Sequence, residues 1–301
     1  MTKDTSWISL FKPGEADNFF DTHELIPLQI NSDCFSLSNA LFLAEISRLI
    51  YRPKFFSDNH TTTHSFKYEL LNYIENTETS THVAVIKIIQ KQPCIVIAFR
   101  GTDESEDWGI NLRVYQSDFY SKGKVHRGFK KAYLSVKESL LETLRDNTLP
   151  LFITGHSLGA ALAILATSDL QERPDFDSCY TFGSPRIGDK DFLNAINCQS
   201  IFRVINNSDI VTTVPIDFAT IQYQHIGQAF LIDEAGQLCE GLSDDEIFEY
   251  QKSKLDGLKN YALSKILNNK LDTIKDDLPS YLADHAPINY VSVIGALLNR
   301  N

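Results

Sequence analysis

Residues 151–167, LFITGHSLGAALAILAT, run an apolar stretch straight into G-H-S-L-G and on into a segment rich in small residues. A serine on a sharp strand-to-helix turn stands exposed for attack on a carbonyl carbon, and such a turn strains the backbone. Gly155 and Gly159 leave room where a side chain would clash. Ser157 falls at the N-terminus of the helix, where free backbone N–H groups favour developing negative charge. The five-residue pattern alone is weak; the strand before it and the alanine-rich helix after it make it specific. Ser157 is the expected nucleophile of an acyl transfer, and the backbone N–H of Leu158 an expected oxyanion donor. His156 adjoins the serine, but neighbouring side chains in a tight elbow point apart, so its expected role is structural, beneath the turn.

A serine of this kind needs a base and a carboxylate to orient the base, and behind a G-x-S-x-G elbow the chain order is serine, acid, histidine. Asp209 stands in a polar turn, NNSD, directly after the apolar run 201–205, where a carboxylate would project from a sheet edge toward the serine. Asp189 and Asp217 compete, and an ordinary solvated turn residue is the alternative for any of them. Among the eight histidines, His23, His60, His64 and His82 precede the elbow. His285 lies downstream of the acid, in the loop ADHAPINY before a last apolar stretch, while His126 and His225 sit in runs that read as packed strand or helix ends.

These side chains must be held by regular elements. Residues 36–50 carry apolar positions at helical spacing and stop before Pro53. Residues 60–66 are a mostly polar loop whose two histidines have no acidic or cysteine partner at ligand spacing, so no metal site is expected there. The runs 82–90 and 94–99 predict adjacent antiparallel strands, and 124–145 predicts a helix. From Pro150 the predicted order is strand (151–154), helix (157–171), strand (178–182), helix (about 191–196), strand (201–205). Such alternation is the signature of a parallel sheet with helices on its faces. Residues 222–226 and 229–232 predict a short hairpin, 243 to about 271 a charged amphipathic stretch, and about 287–298 a final apolar helix. Ser243 and Glu246 are spaced as a capping box. The expectation is one α/β domain over 1–301, with 243–280 a helical insertion before the histidine loop.

The segment TGHSLGAALA (154–163) resembles the nucleophile segment of the class 3 lipases, the group that includes filamentous-fungal triacylglycerol lipases and feruloyl esterases. Further pieces match in the same order: SRLIY (47–51), AFRGT (98–102) followed by Trp108, VHRGF (125–129), TFGSPRIGD (181–189), VINNSDIV (204–211), QHIG (224–227) and DHAPINY (284–290). The resemblance covers about residues 36–299, and 243–280 has no counterpart in it. It implies an α/β-hydrolase fold with a mostly parallel central sheet, Asp209 as acid, His285 as base, and structural roles for His126 and His225. It implies Thr102 as the second oxyanion donor and hydrolysis of acylglycerol-type esters, with phospholipid, galactolipid or feruloyl esters as alternatives, and no metal or organic cofactor. All three triad types and both oxyanion positions are present, which speaks against a binding protein on a dead hydrolase scaffold. Residues 103–112 fall where similar enzymes carry a lid. Trp108, Ile110 and Leu112 would form its apolar side, either as a flap that opens at a lipid surface or as a fixed loop.

Composition narrows the partners. Lys and Arg number 28 against 39 Asp and Glu, a formal charge of −11, and no basic stripe is present, so nucleic-acid binding is not expected. The charge disfavours docking on anionic lipid but leaves transient contact with an uncharged lipid interface open. No run approaches the roughly 18 apolar residues of a membrane span. The first twenty residues lack the uninterrupted apolar core of a cleavable signal, which makes a cytoplasmic protein the default expectation and leaves signal-independent export open. Five cysteines without C-x-x-C spacing suggest free thiols, with Cys94 and Cys179 buried in apolar runs.

Overall fold

The computed structural model describes residues 3–16, 18–20, 26–31, 34–57, 66–101, 115–196, 199–215, 217, 221–255 and 278–300. Ten strands are described: β1 (Lys67–Asn76), β2 (Thr81–Ile89), β3 (Cys94–Phe99), β4 (Gln116–Asp118), β5 (Lys124–His126), β6 (Leu151–His156), β7 (Phe176–Phe182), β8 (Ile201–Asn206), β9 (Gln228–Ile232) and β10 (Leu238–Glu240). The helices are α1 (Trp7–Phe11), α2 (Leu37–Leu49), α3 (Pro53–Ser57), α4 (Arg127–Thr143), α5 (Leu158–Leu170), α6 (Lys190–Ala195), α7 (Asp244–Leu255), α8 (Ser280–Ala283) and α9 (Pro287–Leu298). Eight strands form one sheet in the order β1-β2-β3-β6-β7-β8-β9-β10. β3, β6, β7, β8 and β9 run parallel, and the antiparallel pairs β1–β2, β2–β3 and β9–β10 complete the edges. This is the α/β-hydrolase architecture, a mostly parallel sheet flanked by helices.

Alternation along each strand sorts its side chains between two cores. In β3, Cys94, Val96 and Ala98 join the layer beneath α2 and α9, while Ile95, Ile97 and Phe99 join the layer beneath α4 and α5. Because β3, β6 and β8 are covered on both faces, every one of their residues is buried. Each such Ile, Val or Phe contributes about 1.5–3 kcal/mol on leaving water, which is what offsets the ordering of so long a chain. In α5 the small residues Ala160, Ala161, Ala163 and Ala166 are all buried, so this helix lies close against the sheet.

Several expectations need correction. β1 stands where no strand was read: KYELLNYIEN is a partly exposed edge strand whose apolar residues are spaced irregularly around a bulge between Leu70 and Asn72. The helix predicted from 124 starts at Arg127, because Lys124–His126 pair with β4 and His126 caps the helix by accepting from Phe129 N–H at 3.3 Å. The hairpin is formed by β9 and β10, not by 222–226 and 229–232. Gln224 instead reaches across to Gly188 as an isolated bridge, and Gly227, at φ 95°, turns the chain into β9. Helices α1 and α3 were also not read; each is a single short turn without a full apolar period. Among the described residues Cys94 and Cys179 are buried, Cys94 and Cys239 carry free thiols, and no three metal-ligating side chains cluster.

Candidate active site

The elbow is the tightest point of the fold. Ser157 sits between β6 and α5 at φ 59°, ψ −129°, a region in which a side chain is strained. A β-carbon on Gly155 would overlap the carbonyl of Gly159, and one on Gly159 would overlap the carbonyl of Phe99 in β3. The two glycines thus serve close approach, of helix to elbow and of helix to neighbouring strand. Ser157 N–H donates to the carbonyl of Phe182 at 3.0 Å, which ties the turn to β7.

Asp209 follows β8 at the same end of the sheet and is wholly buried. Its carboxylate accepts from His285 Nδ1 at 2.8 and 2.9 Å, from the Tyr290 hydroxyl at 2.6 Å and from Val211 N–H at 2.9 Å. Burial first, and the adjacent carboxylate second, push Tyr290 well above the usual tyrosine value, so it remains a donor. With Nδ1–H committed to Asp209, the imidazole of His285 carries its lone pair on Nε2, the tautomer a general base requires.

His156 is held away from the chemistry. Its Nε2 lies 2.7 Å from the carbonyl of His285, which can only accept, so Nε2 donates and Nδ1 accepts from the Tyr51 hydroxyl at 3.0 Å. The residue beside Ser157 thereby grips the backbone of the histidine loop. The competing carboxylates have other work: Asp189 caps α6 through Phe192 N–H, and Asp217 accepts from Tyr223 N–H. His126 caps α4, and His225 donates from Nε2 to the carbonyl of Thr212.

The histidine loop and the acid turn are stitched together by residues to which the sequence assigned no role. Asn206 Nδ2 donates to the carbonyl of Asp284 at 2.9 Å, and Asn207 Nδ2 to the Asp284 carboxylate at 2.9 Å. The remaining Asp284 oxygen pairs with Lys3; burial raises the pKa of this carboxyl and Lys3 lowers it. Gly183, at φ 59°, passes so near the pair that a β-carbon there would lie 2.7 Å from Asp209 Oδ2 and 2.9 Å from His285 Nδ1. Gly183→Ala is therefore expected to displace the Asp209 carboxylate from His285 Nδ1 and, with the pair in its expected catalytic role, to lower kcat by about 100-fold while substrate binding persists. Steady-state kinetics check this, and an unaltered kcat would refute it.

Leu158 opens α5 directly after the serine. Thr102 lies outside the described residues, as do the lid candidates Trp108, Ile110 and Leu112 and the histidines His23, His60 and His64. Gly101, immediately before Thr102, is described: a β-carbon there would overlap the Tyr51 hydroxyl and approach the carbonyl of His156 to 2.6 Å. The end of β3 therefore presses against the elbow.

Burial sets a pH dependence of stability. His156 and His225 are held well below the ordinary histidine value of 6.5, chiefly by desolvation, with His285 adding to the effect at His156 and Arg203 and Arg186 at His225. Both stay neutral in the fold while the unfolded chain protonates them. Stability is therefore full above pH 6.5 and falls as pH drops below it, by about 1.4 kcal/mol per unit for each group. Denaturant unfolding at pH 7.5 and 5.5 is expected to differ by about 2.7 kcal/mol. Equal stability at the two values would show that these rings ionise freely in the fold.

The sheet and the elbow are those of the α/β-hydrolase fold, and comparison with known proteins adds to this. Residues 96–219 match the family model described as Lipase (class 3). A lipase of Rhizomucor miehei is 33% identical over 154 residues, covering 46% of this chain and 42% of that protein. Triacylglycerol lipase OBL1 of Arabidopsis thaliana is 28% identical, covering 62% and 48%, and the chloroplastic phospholipase A(1) DAD1 of the same plant is 32% identical, covering 40% and 33%. The chain thus spans less than half the length of these curated relatives. Lipase II from Rhizopus niveus shares the fold at a TM-score of 0.59 and 24% identity, over 66% of this chain and 81% of that one.

Proposed function

We propose that this chain is a serine hydrolase of carboxylic esters, acting on acylglycerol-type lipids through an acyl-enzyme on Ser157. The observation that carries the reading is the buried His285–Asp209 pair, with Nδ1 at 2.8 Å from the carboxylate, bound through His156 to the strained elbow that presents Ser157. His285 Nε2 takes the Ser157 proton as the hydroxyl oxygen attacks the ester carbonyl, and returns it to the departing alcohol oxygen. Water, deprotonated by the same imidazole, then releases the fatty acid and restores the serine. Asp209 keeps the imidazole in its productive tautomer and supports its positive charge. The N–H of Leu158 and, from the family resemblance, Thr102 are the oxyanion donors, and no step calls for a metal or an organic cofactor.

Substrate is a lipid or small ester, met in solution or at a lipid interface; no described helix is long and apolar enough to cross a membrane. Relatives named as phospholipases A1 favour a second reading, deacylation of phospholipid at the same serine. A panel of p-nitrophenyl esters of short to long acyl chain, followed by emulsified triacylglycerol and phospholipid, tests both. Turnover that rises with chain length, blocked by a fluorophosphonate that labels Ser157, is expected. Absence of both turnover and label would refute the proposal, and preference for phospholipid would select the second reading.

A further inference from the structure

Helix α7 lies beyond the segment 96–219 that carries the family match, and residues from Asp244 to Gln251 hold it against β8, β9 and the turn after β8. Ser243 and Glu246 close a reciprocal cap at its start, with Ser243 N–H 2.8 Å from the Glu246 carboxylate and Glu246 N–H 3.3 Å from the serine oxygen. In the first turn Asp244 pairs with Arg203, which is buried in the middle of β8. Ile247 packs on Ile205 and Leu231, and Phe248 meets the guanidinium of Arg186 at 5.5 Å. Tyr250 donates its hydroxyl to Asn207 Oδ1 at 2.7 Å.

Gln251 reaches furthest into the site. It is 2% exposed, and its Nε2 lies 2.8 Å from Thr212 Oγ1, 3.2 Å from the carbonyl of Asn207 and 3.3 Å from the carbonyl of Asp209. The two hydrogens of the amide are shared among three acceptors, all in or just after the turn that bears the acid. The Thr212 hydroxyl gives its own hydrogen to the carbonyl of Asp209 at 2.8 Å, so its lone pair is what receives Gln251. Side-chain bonds fix where the Asp209 carboxylate points; the Gln251 amide fixes the backbone from which it points.

We propose that Gln251 is a positioning residue for ester hydrolysis, a brace supplied by α7 that holds the Asn207–Asp209 backbone so that the carboxylate meets His285 Nδ1. The inference rests on the triad reading above. Without the amide, two buried carbonyls lose a donor and the turn relaxes toward other partners. The carboxylate then supports the imidazolium less well, so kcat falls, KM holds because Gln251 touches no substrate, and the acid limb of the rate profile moves to lower pH. The other ionisable groups around His285 are His156, Tyr51, Tyr290 and Asp284 with Lys3; the His156 bonds to Tyr51 and to the carbonyl of His285, and the Asp284–Lys3 pair, do not involve the Asn207–Asp209 backbone.

Gln251→Met keeps the volume and removes the donors; Thr212→Val cuts the same relay from its other end; Phe248→Ala loosens α7 at a point remote from the turn. Each is assayed on a p-nitrophenyl ester from pH 5 to 9, with rates normalised to the serines titrated by fluorophosphonate. Expected are a kcat lower by about tenfold in Gln251→Met with KM within about twofold, a smaller fall in Thr212→Val, and an acid limb shifted downward in both. Phe248→Ala is expected to match the unmodified enzyme per titrated serine. Full kcat and an unmoved limb in both relay variants would overturn the proposal, as would the same defect in Phe248→Ala. Those outcomes presuppose an unmodified enzyme that turns over ester and takes the label; one that does neither overturns the triad reading and this inference with it.

Discussion

Replacing His285 by alanine is expected to lower kcat by about a million-fold while KM changes little, since the imidazole contributes chiefly in the transition state. Adding Ser157→Ala should lower the rate no further. Nucleophile and base act as a unit, and once either is gone the residual catalysis, about a thousand- to ten-thousand-fold over water, comes from the oxyanion donors and binding. Single-turnover and steady-state rates of the two single variants and the double variant measure this directly. Losses that multiply, or a His285→Ala enzyme that retains a tenth of its activity, would assign the proton transfer to another group. The nearest alternatives are already occupied: His156 bridges Tyr51 and the backbone of His285, and His225 serves the carbonyl of Thr212.

Asp209→Asn should cost about ten thousand-fold in kcat with little change in the fold. The reason lies in the donors around this side chain. Val211 N–H, the Tyr290 hydroxyl and His285 Nδ1–H all point at the carboxylate, so the surroundings donate and leave no place for a donor at position 209. An asparagine must set its NH2 against one of them. Turned toward His285, it forces the ring into the tautomer with hydrogen on Nε2, which cannot take the serine proton. Turned toward Tyr290, it leaves Asp209's charge unreplaced opposite the imidazolium. Crystal structure and unfolding midpoint should be near those of the unmodified protein, and the loss should appear in kcat. A defect confined to KM would remove Asp209 from the triad role.

The reach of sequence reading differed between elements for physical reasons. The elbow was legible because its residues are local: Gly155, Ser157 and Gly159 lie within five positions, and Gly155 answers to the carbonyl of Gly159, although Gly159 answers to Phe99 of the distant β3. The parallel strands were legible because burial on both faces demands continuous apolar runs, as in CIVIAF and LFITGH. β1 was not, because an edge strand tolerates exposed polar residues and its bulge breaks the alternation. Tyr290 sat inside a motif already singled out, yet its bond to Asp209 spans 81 positions and leaves no spacing to read. Gln251, Asp284 and Gly183 were hidden for the same reason, since each matters through a partner distant in the chain. Those contacts took shape only once the sheet had placed β8 beside β7 and β9.

The packing of α9 against α2 has a consequence during synthesis. Leu41, Ile46 and Leu49 of α2 share one core with Tyr290, Val291 and Ile294 of α9, and Asp4 exchanges two hydrogen bonds with Asn289 across 285 positions. On the ribosome, the apolar face of α2 emerges some 240 residues before its cover, a gap of about 12–50 s at ordinary elongation rates. Through that interval the nascent chain displays an apolar helix and, once β8 has emerged, an Asp209 turn without its histidine. It is at once prone to clumping and without the histidine that Asp209 binds, and the emergence of the histidine loop with α9 ends both conditions together.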